Sequence, residues 1–372
     1  MYYSQAVKHI FLVAFAFFLS CGLSQAQDYY LYVALESEDK VSLIRFNGET
    51  EKGTIEKTVK VGTYPTENEG PHGLTVSPDG DYWFVSIAHG NPYGKLWKYS
   101  TETNELVGRT ELGMFPASME ISERTGLLYV VNFNLHGDME PSTVSVVDPE
   151  SMTRVADIET GIMPHGSRIN ADGTFQYHVS MMTDELIQIN TTGMKVSKRL
   201  NIAEGGTQSM EMNREMKHEG DGMHAKPECK PTWADPHPAS SLVYIACNGS
   251  DTIVEVNTSN WNVTRRFSTG KAPYNLEVSH DGKLLVASYK GEGATGIWDL
   301  TSGKELAKIK NSRRVSHGVA ISPDNRYAFI SMEGVGGEPG SVDVIDLKDL
   351  NRADVIETGK QAGGIIMWKM EK

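Results

Sequence analysis

Three short stretches of this chain set a histidine beside a glycine at the start of an alternating run: GPHGLTV with His72, MPHGSRI with His165 and VSHGVAI with His317. Imidazoles at equivalent positions of a repeat occupy equivalent positions in space, so a repeat that closes on itself can bring all three to one point. Converging imidazole nitrogens are what a transition metal requires, with zinc, for one, lying about 2.0–2.1 Å from each. The stretch EGGTQSMEMNREMKHEGDGMHAKPECK adds Met210, Met212, Met216, Met223, His218, His224 and Cys229, and Met114, Met163 and Met332 stand near the same repeat positions. Thioether and imidazole together favour copper over calcium or magnesium. For each residue taken singly the plain alternative is structural: methionine fills irregular loops, and a histidine can bond a neighbouring carbonyl. Paired C-x-x-C, G-x-S-x-G and H-E-x-x-H motifs are absent from the sequence.

The repeat has to position these residues. Aligned on His72, its copies fall at Ala117, His165, Thr232, Tyr274, His317 and Gly363, at spacings of 45, 48, 67, 42, 43 and 46. One period therefore runs throughout, and the third interval carries an insertion of about 20 residues, placed at about 203–229. Each copy continues with three more β-like runs, such as LVYIACN, DTIVEVN and NVTRRFSTG, separated by Gly, Pro, Asn and Asp. Four short antiparallel strands per repeat make a propeller blade. The chain ends on a lone first strand, GGIIMW, while DYYLYVAL, KVSLIRF and EKTVKVG at the start lack one. The expected fold is all-β: a seven-bladed β-propeller of four-stranded blades, the last closed by the N- and C-terminal strands, which hides the sheet edges that an open array would expose.

In such a ring the first strand of each blade lines the central channel. The connections into first strands and between second and third strands then open on one face, the top. His72, His165, His317, His89 in IAHGNPYG, His136 in NLHGDMEP, His218 and His224 all fall there, seven of the ten histidines after residue 26. His237 and His280 take the bottom turn and His178 sits within a strand. The expected metal shell is His72, His165 and His317, completed by His89, His136 or His224, with His218, Met223 and Cys229 as further candidate ligands. Cys229 lies three residues before Thr232 and Cys247 ends the next strand, so antiparallel pairing brings them together. A disulfide is the favoured reading and a copper thiolate the alternative.

The segments YVVN at 129–132 and YIACNGSDTIVEVN at 244–257, with the recurring SPDG-like turn, resemble the YVTN family of β-propellers across essentially the whole chain after residue 26. The resemblance implies the fold and leaves the function open, because scaffolds, lactonases and metalloenzymes share it. The histidines at the mouth are similar to those of the propeller of nitrous-oxide reductases, which hold a copper cluster. Here no His-His pair occurs and no second, cysteine-rich domain follows, so a mononuclear site fits better. Lactonase-type propellers also carry GPHG and SPDG, but pair Arg with His at the channel entrance and place Glu after the YVVN-type strand, where this chain has Phe133.

Residues 1–26 read as a signal peptide: Lys8 and His9 precede the apolar run IFLVAFAFFLSCGL, and SQA supplies small residues before a cleavage point after Ala26. The run is too short to span a bilayer, and no other stretch approaches that length; lipidation at Cys21 is the alternative. The formal charge of -13 excludes a nucleic-acid partner, since no basic stripe exists to neutralise phosphates. The expectation is a monomeric periplasmic or secreted propeller, residues 27–372, whose His/Met-rich top face holds copper for redox chemistry or metal handling. The alternatives are a non-enzymatic module that recognises a protein or glycan there, or a small-molecule hydrolase of the lactonase kind.

Overall fold

Each copy of the repeat forms one four-stranded antiparallel sheet, and there are seven of them. The structure is a computed structural model and describes residues 27–64, 66–89, 93–203 and 226–372. Blade one runs Pro71–Val76, Tyr82–Ile87, Lys95–Ser100 and Leu106–Glu111 from the axis outward. Blades two to six start from the inner strands Pro116–Ile121, Pro164–Ile169, Pro231–Pro236, Pro273–Val278 and Ser316–Ile321. Blade seven takes its inner strand, Ala362–Glu371, from the end of the chain and its other three, Asp28–Leu35, Lys40–Asn47 and Lys52–Lys60, from the start. The seam is antiparallel, pairing Tyr29 with Met370, Leu31 with Met367 and Val33 with Ile365. Each inner strand contacts the next around the ring, and Ala362–Glu371 closes it against Pro71–Val76.

The core lies between neighbouring sheets, where their apolar faces interdigitate. Between blades six and seven, Tyr29, Val33 and Phe46 pack on Tyr327, Phe329, Val344 and Ile356. Burial of this kind contributes about 25 cal/mol per Å² of apolar surface and is the chief force holding blade to blade. In five blades the turn from first to second strand takes a left-handed residue, Gly80, Gly126, Gly173, Gly282 or Asn325, with φ of 78°, 71°, 72°, 72° and 59°. This is the physical content of the SPDG pattern.

Two features of the inner strands shape the channel. A register shift follows the first residue of each in blades one to six, as between Pro71 and Leu74 or Pro164 and Ser167. Such a bulge breaks strict alternation and re-aims side chains. The glycine after each histidine allows close approach: a Cβ on Gly73 would stand 1.7 Å from the carbonyl oxygen of Ala117, and one on Gly166 would enter the Trp233 ring. Serines bridge the same joints, Ser118 donating to the carbonyl of His165 and Ser288 to that of His317, both at 2.7 Å.

Cys229 and Cys247 are disulfide-bonded, their Cα atoms 4.7 Å apart. Cys229 therefore leaves the set of candidate ligands, because a bonded sulfur has no thiolate to offer. The signal peptide, Cys21, His218, His224 and Met223 lie outside the described residues. Among the described residues no helix is long and apolar enough to cross a membrane.

Candidate functional site at the channel mouth

His72, His165 and His317 each open an inner strand and meet at one mouth of the channel, all nearly buried at 8%, 2% and 5% exposure. The ring centroid of His72 lies 6.2 Å from that of His165 and 5.6 Å from that of His317. Tyr274, the equivalent residue of blade five, stands between the other two, its ring 5.4 Å from His165 and 4.7 Å from His317. Burial lowers the basicity of all three imidazoles, taking His165 down to about 3 and His317 well below its ordinary value. At neutral pH they are neutral rings with a lone pair to give.

Tautomers follow from the partners. Nδ1 of His165 lies 2.8 Å from the carbonyl oxygen of Thr232, so it donates there and leaves Nε2 to accept from the Tyr274 hydroxyl at 3.1 Å. Nδ1 of His72 has no hydrogen-bond partner among the described residues and faces Glu36 Oε2 at 3.8 Å. Nε2 of His317 lies 3.7 Å from Glu333, which is ion-paired at 2.6 Å to Lys290, and the Lys290 ammonium sits 4.2 Å above the Tyr274 ring.

His89 and His136 form a second group. Nε2 of His89 bonds Glu36 Oε1 at 2.8 Å, and its Nδ1 lies 3.0 Å from Nε2 of His136. Glu36 is a carboxylate: burial works to raise it, but His72, the hydrogen bond from His89 and Lys290 outweigh burial and bring it below the ordinary range. Its Oε1 can only accept, so His89 donates to it through Nε2. Phe115 separates this pair from the trio, its ring 5.2 Å from His72 and 4.9 Å from His89. The single shell expected from sequence is thus two groups linked through Glu36.

Among the described residues no group of three or more His, Cys, Asp or Glu side chains is drawn together closely enough to hold a metal ion. The donor types suit copper or zinc, and His165 already has the orienting Nδ1–carbonyl bond usual for a ligating imidazole. A shared ion would require His165 to release Tyr274. Sequence reasoning missed Glu36, Lys290 and Glu333, all in connections between second and third strands, whose lengths differ from blade to blade.

Below the histidines the channel holds a cavity of about 30 Å³, room for about two waters, lined among others by His72, His165, His317, Arg168, Trp233 and Asn275. Three residues past each aligned position the inner strands carry Thr75, Glu120, Arg168, Asp235, Glu277, Ala320 and Ile366. Glu120, Asp235 and Glu277 each accept a backbone N–H from the next blade, at Ile169, Val278 and Ile321. Burial pushes all three up to about 7, against the pull of the Arg168 guanidinium.

No known family's sequence profile matches the chain, and neither does any curated protein. Solved structures are similar. A chain of Kuenenia stuttgartiensis hydrazine synthase superposes with a TM-score of 0.62 at 17% identity, covering 82% of this chain and 93% of that one. A functionally unknown protein from Desulfotomaculum acetoxidans DSM 771 superposes with a TM-score of 0.66 at 13% identity, covering 91% and 98%. The likeness is one of fold. At these identities it carries no chemistry to the channel mouth.

Proposed function

We propose that this chain is a binding propeller whose working site is the top mouth of the channel, and that its guest is a transition-metal ion, copper best matching the donors. The observation that carries this reading is the meeting of three buried, neutral imidazoles, from blades one, three and six, around one mouth. His72, His165 and His317 would hold the ion, and Glu36 would orient His72 as a carboxylate partner. Bound copper would supply one-electron redox chemistry or a point of metal transfer; the chain's own part is to offer neutral nitrogens and keep bulk water out. Export to an oxidising compartment belongs to the same reading and is supported by the Cys229–Cys247 disulfide. So does membership of the YVTN-type propellers, which rests on the sequence motifs.

The test is elemental analysis of protein purified from an export compartment before any chelator is used, alongside His72→Ala/His165→Ala. Stoichiometric copper in the wild type, lost in a variant that still folds, supports the reading; a metal-free wild type that takes up none overturns it. The second reading is a metal-free module that recognises a protein, glycan or small molecule. It is favoured by Tyr274, whose hydroxyl already occupies the free nitrogen of His165.

A further inference from the structure

The floor of the channel cavity offers a different chemistry from its mouth. Arg168 projects from the inner strand of blade three and lines the cavity together with Trp233 and Asn275. Among the described residues its one hydrogen bond runs from Nη1 to the carbonyl of the adjacent Ser167, at 3.0 Å. Its guanidinium lies over the Trp233 ring at 5.0 Å, and no carboxylate comes within ion-pairing distance among the described residues. A guanidinium presents five N–H donors, so most of this one's are unspent. Trp233 is 8% exposed, and its indole N–H, which can only donate, has no partner among the described residues. Asn275, at 4% exposure, also leaves its side-chain oxygen position unpartnered among them, and rotation of the amide by half a turn would present N–H donors there instead. Unused buried donors are costly to leave unmade, and here they share a cavity with a positive charge.

We propose that Arg168, Trp233 and Asn275 form a subsite for a small planar oxyanion of three or four heavy atoms, such as a short carboxylate, held beneath the imidazoles. A planar fork of donors on an arginine matches two anionic oxygens side by side. The cavity of about 30 Å³ admits nothing much larger. The neighbouring acids do not forbid the charge: Glu120, Asp235 and Glu277 each commit an oxygen to a backbone N–H of the next blade, and burial raises each to about 7, so that each is about half protonated at neutral pH and more fully so below it. The subsite does not depend on a metal at the mouth.

Formate is the probe. Titrated calorimetrically into chelator-treated wild-type protein at constant ionic strength, it should bind saturably with Kd near about 1 mM, the limit that three heavy atoms allow, while chloride does not. Arg168→Gln should weaken binding at least about tenfold, and Trp233→Phe, which keeps the ring and removes the donor, several-fold. In wild-type protein, formate should shift one indole N–H resonance, the one missing from Trp233→Phe. If formate binds no better than chloride, or if Arg168→Gln binds it as well as wild type, the subsite does not exist. Should Arg168→Gln fail to fold, undiminished binding by Trp233→Phe has the same force. Because the measurement is made without copper, its outcome is separate from that of the metal analysis.

Discussion

The Tyr274 hydroxyl lies 3.1 Å from Nε2 of His165, an imidazole whose other nitrogen is already bound to the Thr232 carbonyl. Tyr274 is therefore a competitor for the one lone pair that His165 has to offer. Tyr274→Phe should raise copper affinity by about fivefold, the worth of one hydrogen bond of about 1 kcal/mol. Competition titration against a chromogenic chelator would read it, and unchanged affinity would remove His165 from the ligand set.

The glycines after the aligned positions, Gly73 behind His72 and Gly364 behind Gly363, are predicted to be structural. Gly73→Ala sets a methyl 1.7 Å from the Ala117 carbonyl oxygen, backbone that cannot swing aside, and Gly364→Ala does the same 1.9 Å from that of His72. Each should cost more than about 3 kcal/mol, in the range of severe overpacking. Gly337→Ala, with nothing within 4 Å, should stay within about 0.5 kcal/mol of wild type. Urea denaturation of the three variants makes the comparison.

The disulfide encloses a sequence separation of 18 residues. Cys229→Ala/Cys247→Ala should lower unfolding free energy by about 3 kcal/mol, as expected for a loop of that size. A thiol titration of unfolded, unreduced wild-type protein should find neither of these cysteines free.

Two sets of buried groups pull the pH dependence in opposite directions. Glu120 and Glu277 are raised to about 7 by burial, so their contribution to stability is full below the ordinary carboxylate range and fades as pH rises through 7. Glu120→Gln/Glu277→Gln should accordingly lose less melting temperature than wild type between pH 5 and pH 8. An equal loss in both would show that the acids do not titrate there.

His178 works the other way. It is fully buried, neither ring nitrogen has a hydrogen-bond partner among the described residues, and burial pushes it down to about 3. Its contribution is present above about pH 6.5 and is lost as pH falls toward 3, since only the unfolded chain takes up the proton. His178→Leu should raise the melting temperature at pH 4.5 more than at pH 7.5, which differential scanning calorimetry would detect.

The blades were legible because their period is enforced by packing: each inner strand must meet its neighbours, so the spacing of His72, Ala117 and His165 repeats wherever the ring does. The meeting of His72, His165 and His317 follows from that period alone. The acids and bases around them did not, for two reasons. Glu36, Lys290 and Glu333 belong to connections whose lengths vary, so no alignment column marks them. Arg168, Glu120, Asp235 and Glu277 do share a column, three residues past the aligned positions, but strict strand alternation would turn that column away from the channel. The bulge that re-aims it leaves no trace in residue type.

Tyr29 pairs with Met370, so strands that leave the ribosome early wait for one that leaves it far later. The ring cannot close before that strand has been made, and contacts so distant along the chain make its closure slow. Until that step, both faces of the seam are bare sheet edges, open to pairing with a neighbouring chain. The seam thus acts as a check on length: a polypeptide that stops short of Ala362 lacks the axial strand of a whole blade and cannot pass as finished.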